Sequence, residues 1–359
     1  MKKILALLTL SAFMAAVLAG CQPIQLGTNT AGGAEPAAAE TVADAETAPV
    51  AEAAVAEEPA PEEAVSEEAA PDAAEGDYLV FTDMMDHEVR LEKPAEKVVA
   101  LSAADCEILY AIGAGDLLVG RGEYCDYPAE VLDKPSVDSG AETNIEQILA
   151  LEPDVLIMSS MAQTEEQVQA LENAGVAVVV SDAQDIEGVY TSIRMIGMLT
   201  GHDAEAEDVV KSMQDTFAEL KEDPTISGQT IYFEVSPLEW GLWTAGEGTF
   251  MDEIASILGL TNVFHDVAGW GEISEEQVLE RDPDHIVTIS MYFGEGPTPE
   301  EEIMSRPGWE NVKAVQNKSI LNLQNNELSR PAPRLAEGAQ MLYDFLTGQE
   351  AEEELEPAA

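Results

Sequence analysis

Hydrophobic positions along the chain fall into distinct regimes. Residues 1–21, MKKILALLTLSAFMAAVLAGC, have a basic start, an apolar run and a small-residue exit. That pattern is a secretory signal peptide, too short and wrongly flanked for a spanning helix. Residues 22–77 interleave Ala, Glu and Pro with no apolar face to bury, so they predict a disordered, self-repelling tether. From residue 78 to 348, apolar runs of strand length alternate with stretches of helical period. Residues 349–359 return to an acidic, unpatterned tail.

Within 78–348, residues 78–81 and 88–91 flank a polar turn and predict an opening hairpin. Strands are then expected at 98–101, 117–120, 154–158 and 176–180, with helices at 104–112, 145–151 and 163–174 between them. A long helical stretch without strands follows, broken once at Gly201-His202-Asp203. Alternation resumes with strands at 230–234, 285–289 and 320–323 and helices at 250–258, 275–281 and 333–346. This order predicts an α/β fold of two lobes with mainly parallel sheets, 78–185 and 224–348, joined by a helical connector at 186–223. An internal echo supports two similar lobes. Asn144-Ile145-Glu146-Gln147 leads to Pro153-Asp154 and a strand, and Ser274-Glu275-Glu276-Gln277 leads to Pro283-Asp284 and a strand. Each predicts a capped helix start with Gln completing a capping box.

Charge narrows the partners. The 359 residues carry 70 acidic and 16 basic side chains, net −54, and residues 78–348 alone hold 51 and 14, net −37. Nucleic acid is excluded as a partner, since phosphate backbones need clustered Lys and Arg. Leu18-Ala19-Gly20-Cys21 resembles the bacterial lipobox, which makes Cys21 the lipidated first residue of the mature chain and the acyl chains its membrane anchor. Cys106 and Cys125 resemble neither a disulfide framework nor a metal site and are expected as packed free thiols. No hydrolase, zincin or phosphate-loop motif occurs, and His87, His202, His265 and His285 share no ligand spacing, so neither catalysis nor a bound metal or cofactor is expected.

Ligands of open parallel sheets bind beyond the carboxyl ends of strands. In an aromatic-poor chain, those positions hold Tyr124, Trp240, Trp243, Trp270 and Tyr292, with Arg121 and Arg330 beside them. Large aromatics there suit a bulky, partly apolar ligand. Trp309, after a short predicted helix, reads as core.

Several segments in order resemble one family: Val98-Val99-Ala100-Leu101-Ser102, Tyr124 to Pro128, Asn144 to Ile157, Trp243-Thr244-Ala245-Gly246, Ile273 to Pro283 and Ser329-Arg330-Pro331. They are similar to the iron-siderophore/cobalamin substrate-binding proteins of ABC importers, whose lobes are joined by a long backbone helix, here about 204–220. The resemblance implies a monomeric, extracytoplasmic, lipid-anchored binder that captures a metal chelate, a corrinoid or ferric siderophore, and delivers it to a permease. It implies one exposed permease-docking glutamate per lobe, at Glu146 and Glu276. It places Tyr124 and Trp270 against a corrin, and makes Arg121 and Arg330 the cations for an anionic chelate. The cobalamin branch has a Trp just after the strand ending at Met158, where this chain has Ser159. A chelate-modifying surface enzyme using Cys125 or a carboxylate pair, and a sensor or adhesion lipoprotein reusing the lobes, are the competing readings.

Overall fold

A computed structural model describes residues 79–139, 143–159, 164–220, 224–324 and 326–348, all within one compact unit, Pro71–Ala359. The signal peptide with Cys21, the tether and the acidic tail lie outside the described residues.

The chain opens with an antiparallel hairpin, β1 (Leu79–Thr82) and β2 (Glu88–Leu91). The N-terminal lobe follows as β3 (Val98–Ala100), α1 (Ala103–Ala111), β4 (Leu118–Gly122), β5 (Ser136–Val137), α2 (Ile145–Ala150), β6 (Val155–Met158), α3 (Glu165–Asn173) and β7 (Ala177–Val180). Its sheet runs β5-β4-β3-β6-β7 with every neighbour parallel. Parallel strands covered on both faces need apolar side chains on both, and β3 and β6 are buried throughout.

The connector is a pair of helices, broken where the sequence predicted. In α4 (Ile186–Thr200) and α5 (Asp203–Glu219), the turn is made by Gly201 in the left-handed region, φ 73°. The two helices pack on each other, α4 also on α1 and α5 also on the closing helix of the chain. Their close approach needs Gly197, where a Cβ would stand 2.5 Å from the Ala206 Cβ. Arg194 on α4 pairs with Glu207 on α5 at 2.8 Å.

The C-terminal lobe comprises β8 (Thr230–Ser236), β9 (Trp243–Ala245), α6 (Phe250–Ile257), β10 (Thr261–Asn262), β11 (Trp270–Glu272), α7 (Glu275–Arg281), β12 (His285–Thr288), α8 (Pro299–Ser305), α9 (Lys313–Asn317), β13 (Ile320–Asn322) and α10 (Leu335–Thr347). The sheet path is β11-β9-β8-β12-β13, with β10 paired to β8. Strands β8, β12, β13 and β10 are mutually parallel, as expected, but β9 runs antiparallel to β8 and to β11. The segments holding Trp243 and Trp270, expected as loops, are therefore strands, β11 at the edge of the sheet and β9 between it and β8. Three-residue strands between glycines are too short to show a period of two.

The internal echo has a structural basis. Asp154, just before β6, accepts the backbone N–H groups of Glu96 and Lys97 at the start of β3, each at 2.9 Å. Asp284, just before β12, accepts the N–H and hydroxyl of Thr230 at the start of β8, each at 2.9 Å. Each lobe thus pins the amino ends of its two central parallel strands with one aspartate. The capping boxes differ. In α7, Ser274 and Gln277 bond reciprocally. In α2, Asn144 accepts from Gln147 N–H, but the Gln147 side chain accepts from Asp138 N–H instead of closing the box.

One continuous apolar core runs from the N-terminal lobe through α4, α5 and α10 into one face of the C-terminal sheet. Trp309 is fully buried in a smaller cluster on the other face of that sheet. Among the described residues, no helix is long and apolar enough to cross a membrane.

Candidate functional site

The carboxyl ends of the two sheets meet around a hollow of about 320 Å³. From the N-terminal lobe it takes Ser102 to Asp105 after β3, Tyr124 after β4, Ser159 after β6 and Ser181 to Gln184 after β7. From the C-terminal lobe it takes Phe250, Trp270 and Ser329 to Pro331. This is the position that strand polarity predicts for an α/β ligand site.

Two aromatic walls face the space. Tyr124 is 72% exposed, on the loop leaving β4. Trp270, half-buried on β11, stacks edge-on against Phe250 at 5.3 Å and donates its indole N–H to Gln184 Oε1 at 2.9 Å. The Gln184 carbonyl also accepts the N–H of Phe250 at 2.9 Å, so this residue ties the two lobes at the back of the hollow.

The hollow's arginine is already engaged. Arg330 Nη1 donates to Glu107 Oε1 at 2.9 Å and to Asp126 Oδ1 at 2.6 Å. Four residues on, Arg334 donates to both oxygens of Glu107, at 3.0 and 2.7 Å, and to Glu327 at 2.8 Å. The Arg334 guanidinium also lies 3.8 Å over the Tyr127 ring. Glu107, Asp126 and Tyr127 come from the first lobe and both arginines from the second, so this cluster joins the halves. Burial alone would lower the pKa of each arginine. Hydrogen bonding and charge from Asp126 and Glu107 at Arg330, and from Glu107 and Glu327 at Arg334, raise both instead.

Asp105 forms part of the floor. Ser102 caps α1 by accepting the Asp105 N–H at 3.1 Å and donates its hydroxyl to Asp105 Oδ2 at 2.5 Å. The other oxygen, Oδ1, is buried without a hydrogen-bond partner. Ser181 lies beside it but is bonded to Ser192 at 3.1 Å. Burial pushes the Asp105 carboxyl up to about 6; the Ser102 and Ser181 hydroxyls oppose this and the charge of Asp182 adds to it.

The seven expected ligand residues separate into three groups. Tyr124, Trp270 and Arg330 line the hollow between the lobes. Trp240 and Tyr292 line a second, open hollow of about 780 Å³ at the ends of β8 and β12, together with Met291 and Phe293. Trp243, on β9 beside Glu272, and Arg121 line neither. Arg121 Nη1 is spent on the carbonyls of Gly122 and Glu123, at 3.1 and 3.3 Å. So the expectation that three tryptophans meet at one cleft is not met: only Trp270 stands in the shared hollow. Asp105, Glu107, Phe250, Gln184 and Arg334 went unnoticed in sequence. The one local signal was the pair Arg330 and Arg334, one helical turn apart in a chain with few cations.

Glu146 and Glu276 are both exposed in the first turns of α2 and α7. Helices that precede parallel strands run against them, which sets these first turns toward the carboxyl edge of each sheet. The Glu276 carboxyl is held below its ordinary range by its own backbone N–H and by Ser274. Cys106 and Cys125 are buried free thiols. The Cys106 thiol is held well above its usual range by hydrogen bonding with Cys125 and by burial. Among the described residues no group of His, Cys, Asp and Glu is placed to hold a metal.

Two α/β lobes facing each other across a lined hollow define a bilobal, ligand-clasping architecture. The sequence profile of the periplasmic binding protein family matches residues 98–327, and the chain belongs to that family. A lipoprotein of Bacillus subtilis, described as an uncharacterized ABC transporter substrate-binding lipoprotein, is 32% identical over 74% of this chain and 84% of its own length. A vitamin B12-binding protein of Pectobacterium carotovorum is 28% identical over 70% of this chain and 88% of its own. The crystal structure of a possible iron-binding periplasmic solute-binding protein from Staphylococcus epidermidis superposes with a TM-score of 0.59 at 29% identity, covering 71% of this chain and 99% of that one.

Proposed function

We propose that this chain is the extracytoplasmic substrate-binding component of an ABC importer, anchored through lipidated Cys21. It captures a bulky metal chelate between its lobes and delivers it to the permease, and a corrinoid is the favoured class. The observation that carries this reading is the hollow itself, walled by Tyr124 from one lobe and Trp270 from the other. Planar aromatic walls, with no metal-holding group among the described residues, suit a chelate that brings its metal already enclosed. The relatives named for ABC transport and for vitamin B12 support the same class. The buried thiols argue against a thiol-dependent enzyme, because nucleophilic cysteines are exposed and lowered in pKa whereas Cys106 is raised and both are enclosed.

Titration of the full chain with cobalamin, haem and ferric siderophores, read by tryptophan fluorescence, tests the reading. Binding should quench Trp270, and a Trp270→Leu variant should lose most of that quench. No quench with any chelate refutes it. Delivery is assigned to Glu146 and Glu276, exposed carboxylates in the first turns of α2 and α7 that suit guanidinium forks on a permease. The paired reversal Glu146→Arg with Glu276→Arg should abolish uptake and leave chelate affinity intact; unchanged uptake refutes the docking role.

A further inference from the structure

The polar groups of the hollow point to a rule of ligand charge that deepens the proposed function and rests on it. Among the described residues, three charged side chains line the space: Asp105, Asp182 and Arg330. The cation among them is already shared between two carboxylates, Glu107 and Asp126. The indole N–H of Trp270 is likewise committed, to Gln184. The floor is left rich in acceptors. Asp105 Oδ1 is buried with no donor, and Asp182 stands half-buried beside it, with Gln184 Nε2 at 3.4 Å. A buried acceptor without a donor is costly, and that cost is relieved when a ligand supplies one. A ligand carboxylate entering the same space would meet two aspartates and an arginine that is already neutralised, inside a folded region, residues 78–348, of net charge −37.

We propose that Asp105 and Asp182 make the cleft selective for chelates that present neutral amide or cationic N–H donors at their periphery, and that they exclude chelates bearing peripheral carboxylates. A corrinoid, whose ring edge carries carboxamides, fits this rule. Haem, with two propionates, and tricatecholate siderophores, which are polyanions, do not.

Two matched pairs of probes test it on the full chain by fluorescence titration near neutral pH. The first is cobalamin against its monocarboxylic acid, in which one ring amide is hydrolysed. The second is ferrioxamine B, with its terminal ammonium, against the same chelate capped by a succinyl carboxylate. In whichever pair binds, the carboxylate member should be weaker by about tenfold or more. Asp182→Asn and Asp105→Asn, each checked for folding by circular dichroism, should narrow that gap severalfold. Equal affinity within a pair, preference for the carboxylate, a gap unmoved in both variants, or binding confined to haem or a tricatecholate overturns the selectivity rule while leaving a chelate binder. Failure of every chelate to bind overturns the proposed function instead, and the rule with it.

Discussion

Two buried arginine clusters use the same chemistry in different places. Inside the C-terminal lobe, Arg306 grips Glu234 at the end of β8 with two bonds, at 2.6 and 2.9 Å, reaches Glu302 on α8 and stacks at 4.6 Å over Trp309. Between the lobes, Glu107 is gripped by Arg330 and Arg334, and Arg334 stacks over Tyr127. In both, a forked guanidinium satisfies a buried carboxylate and an aromatic face covers the cation. The difference is what each cluster joins. The first locks a helix to a strand of one lobe, so it bears on that lobe alone. The second spans the halves and occupies the arginine that lines the hollow, so it bears on lobe closure and ligand charge together.

The largest expected effect comes from removing the central carboxylates. Glu107→Ala and Glu234→Ala should each destabilise the fold by about 3–5 kcal/mol, because either change strands buried guanidinium charge. Urea denaturation measures this. Only Glu107→Ala should also change chelate affinity, and an equal effect of Glu234→Ala on binding would break the distinction.

Asp105 sharpens the comparison as a buried carboxyl with no arginine partner. Its folded pKa, about 6, lies above the ordinary 3.8, so the native state binds the proton more tightly than the unfolded chain. Its contribution is fully present below the unfolded value and is lost as pH rises through about 6. Asp105→Asn removes that loss. It should therefore stabilise the protein near neutral pH by up to about 3 kcal/mol, and change stability little below about pH 4. Thermal denaturation at the two pH values checks this, and a gain that is the same at both would contradict burial as the cause.

A smaller effect is expected at the aromatic cover of the inter-lobe cluster. Tyr127→Leu keeps apolar area but loses the cation–π contact with Arg334, for a cost of about 0.5–2 kcal/mol. The smallest concerns the helix caps. Asn144→Ala and Ser274→Ala should each cost about 1 kcal/mol, with Ser274→Ala the larger because α7 loses a reciprocal box and α2 a single bond.

The lobes were legible in the chain because period and strand-length apolar runs are local signals. Strands β3, β6, β8 and β12 and helices α1, α2, α6, α7 and α10 lie within two residues of their expected positions. The echo around Glu146 and Glu276 was readable for the same reason, since cap, helix and Pro-Asp turn recur within about ten residues. The short strands β9 and β11 were not: three residues in a glycine-rich stretch carry no period, and only pairing makes them strands.

What the sequence by itself determined is the α/β alternation, the two-lobed repeat, the position of the connector and the family resemblance, each written in contiguous residues. What only the tertiary structure decided is which polar and aromatic side chains meet. Glu107 and Arg330 stand 223 positions apart and touch at 2.9 Å, and Gln184 reaches Trp270 across 86 positions. Such contacts depend on how two finished lobes are set against each other. No local pattern encodes that placement, and so Arg330, which reads as a free cation in the chain, is a neutralised one in the fold.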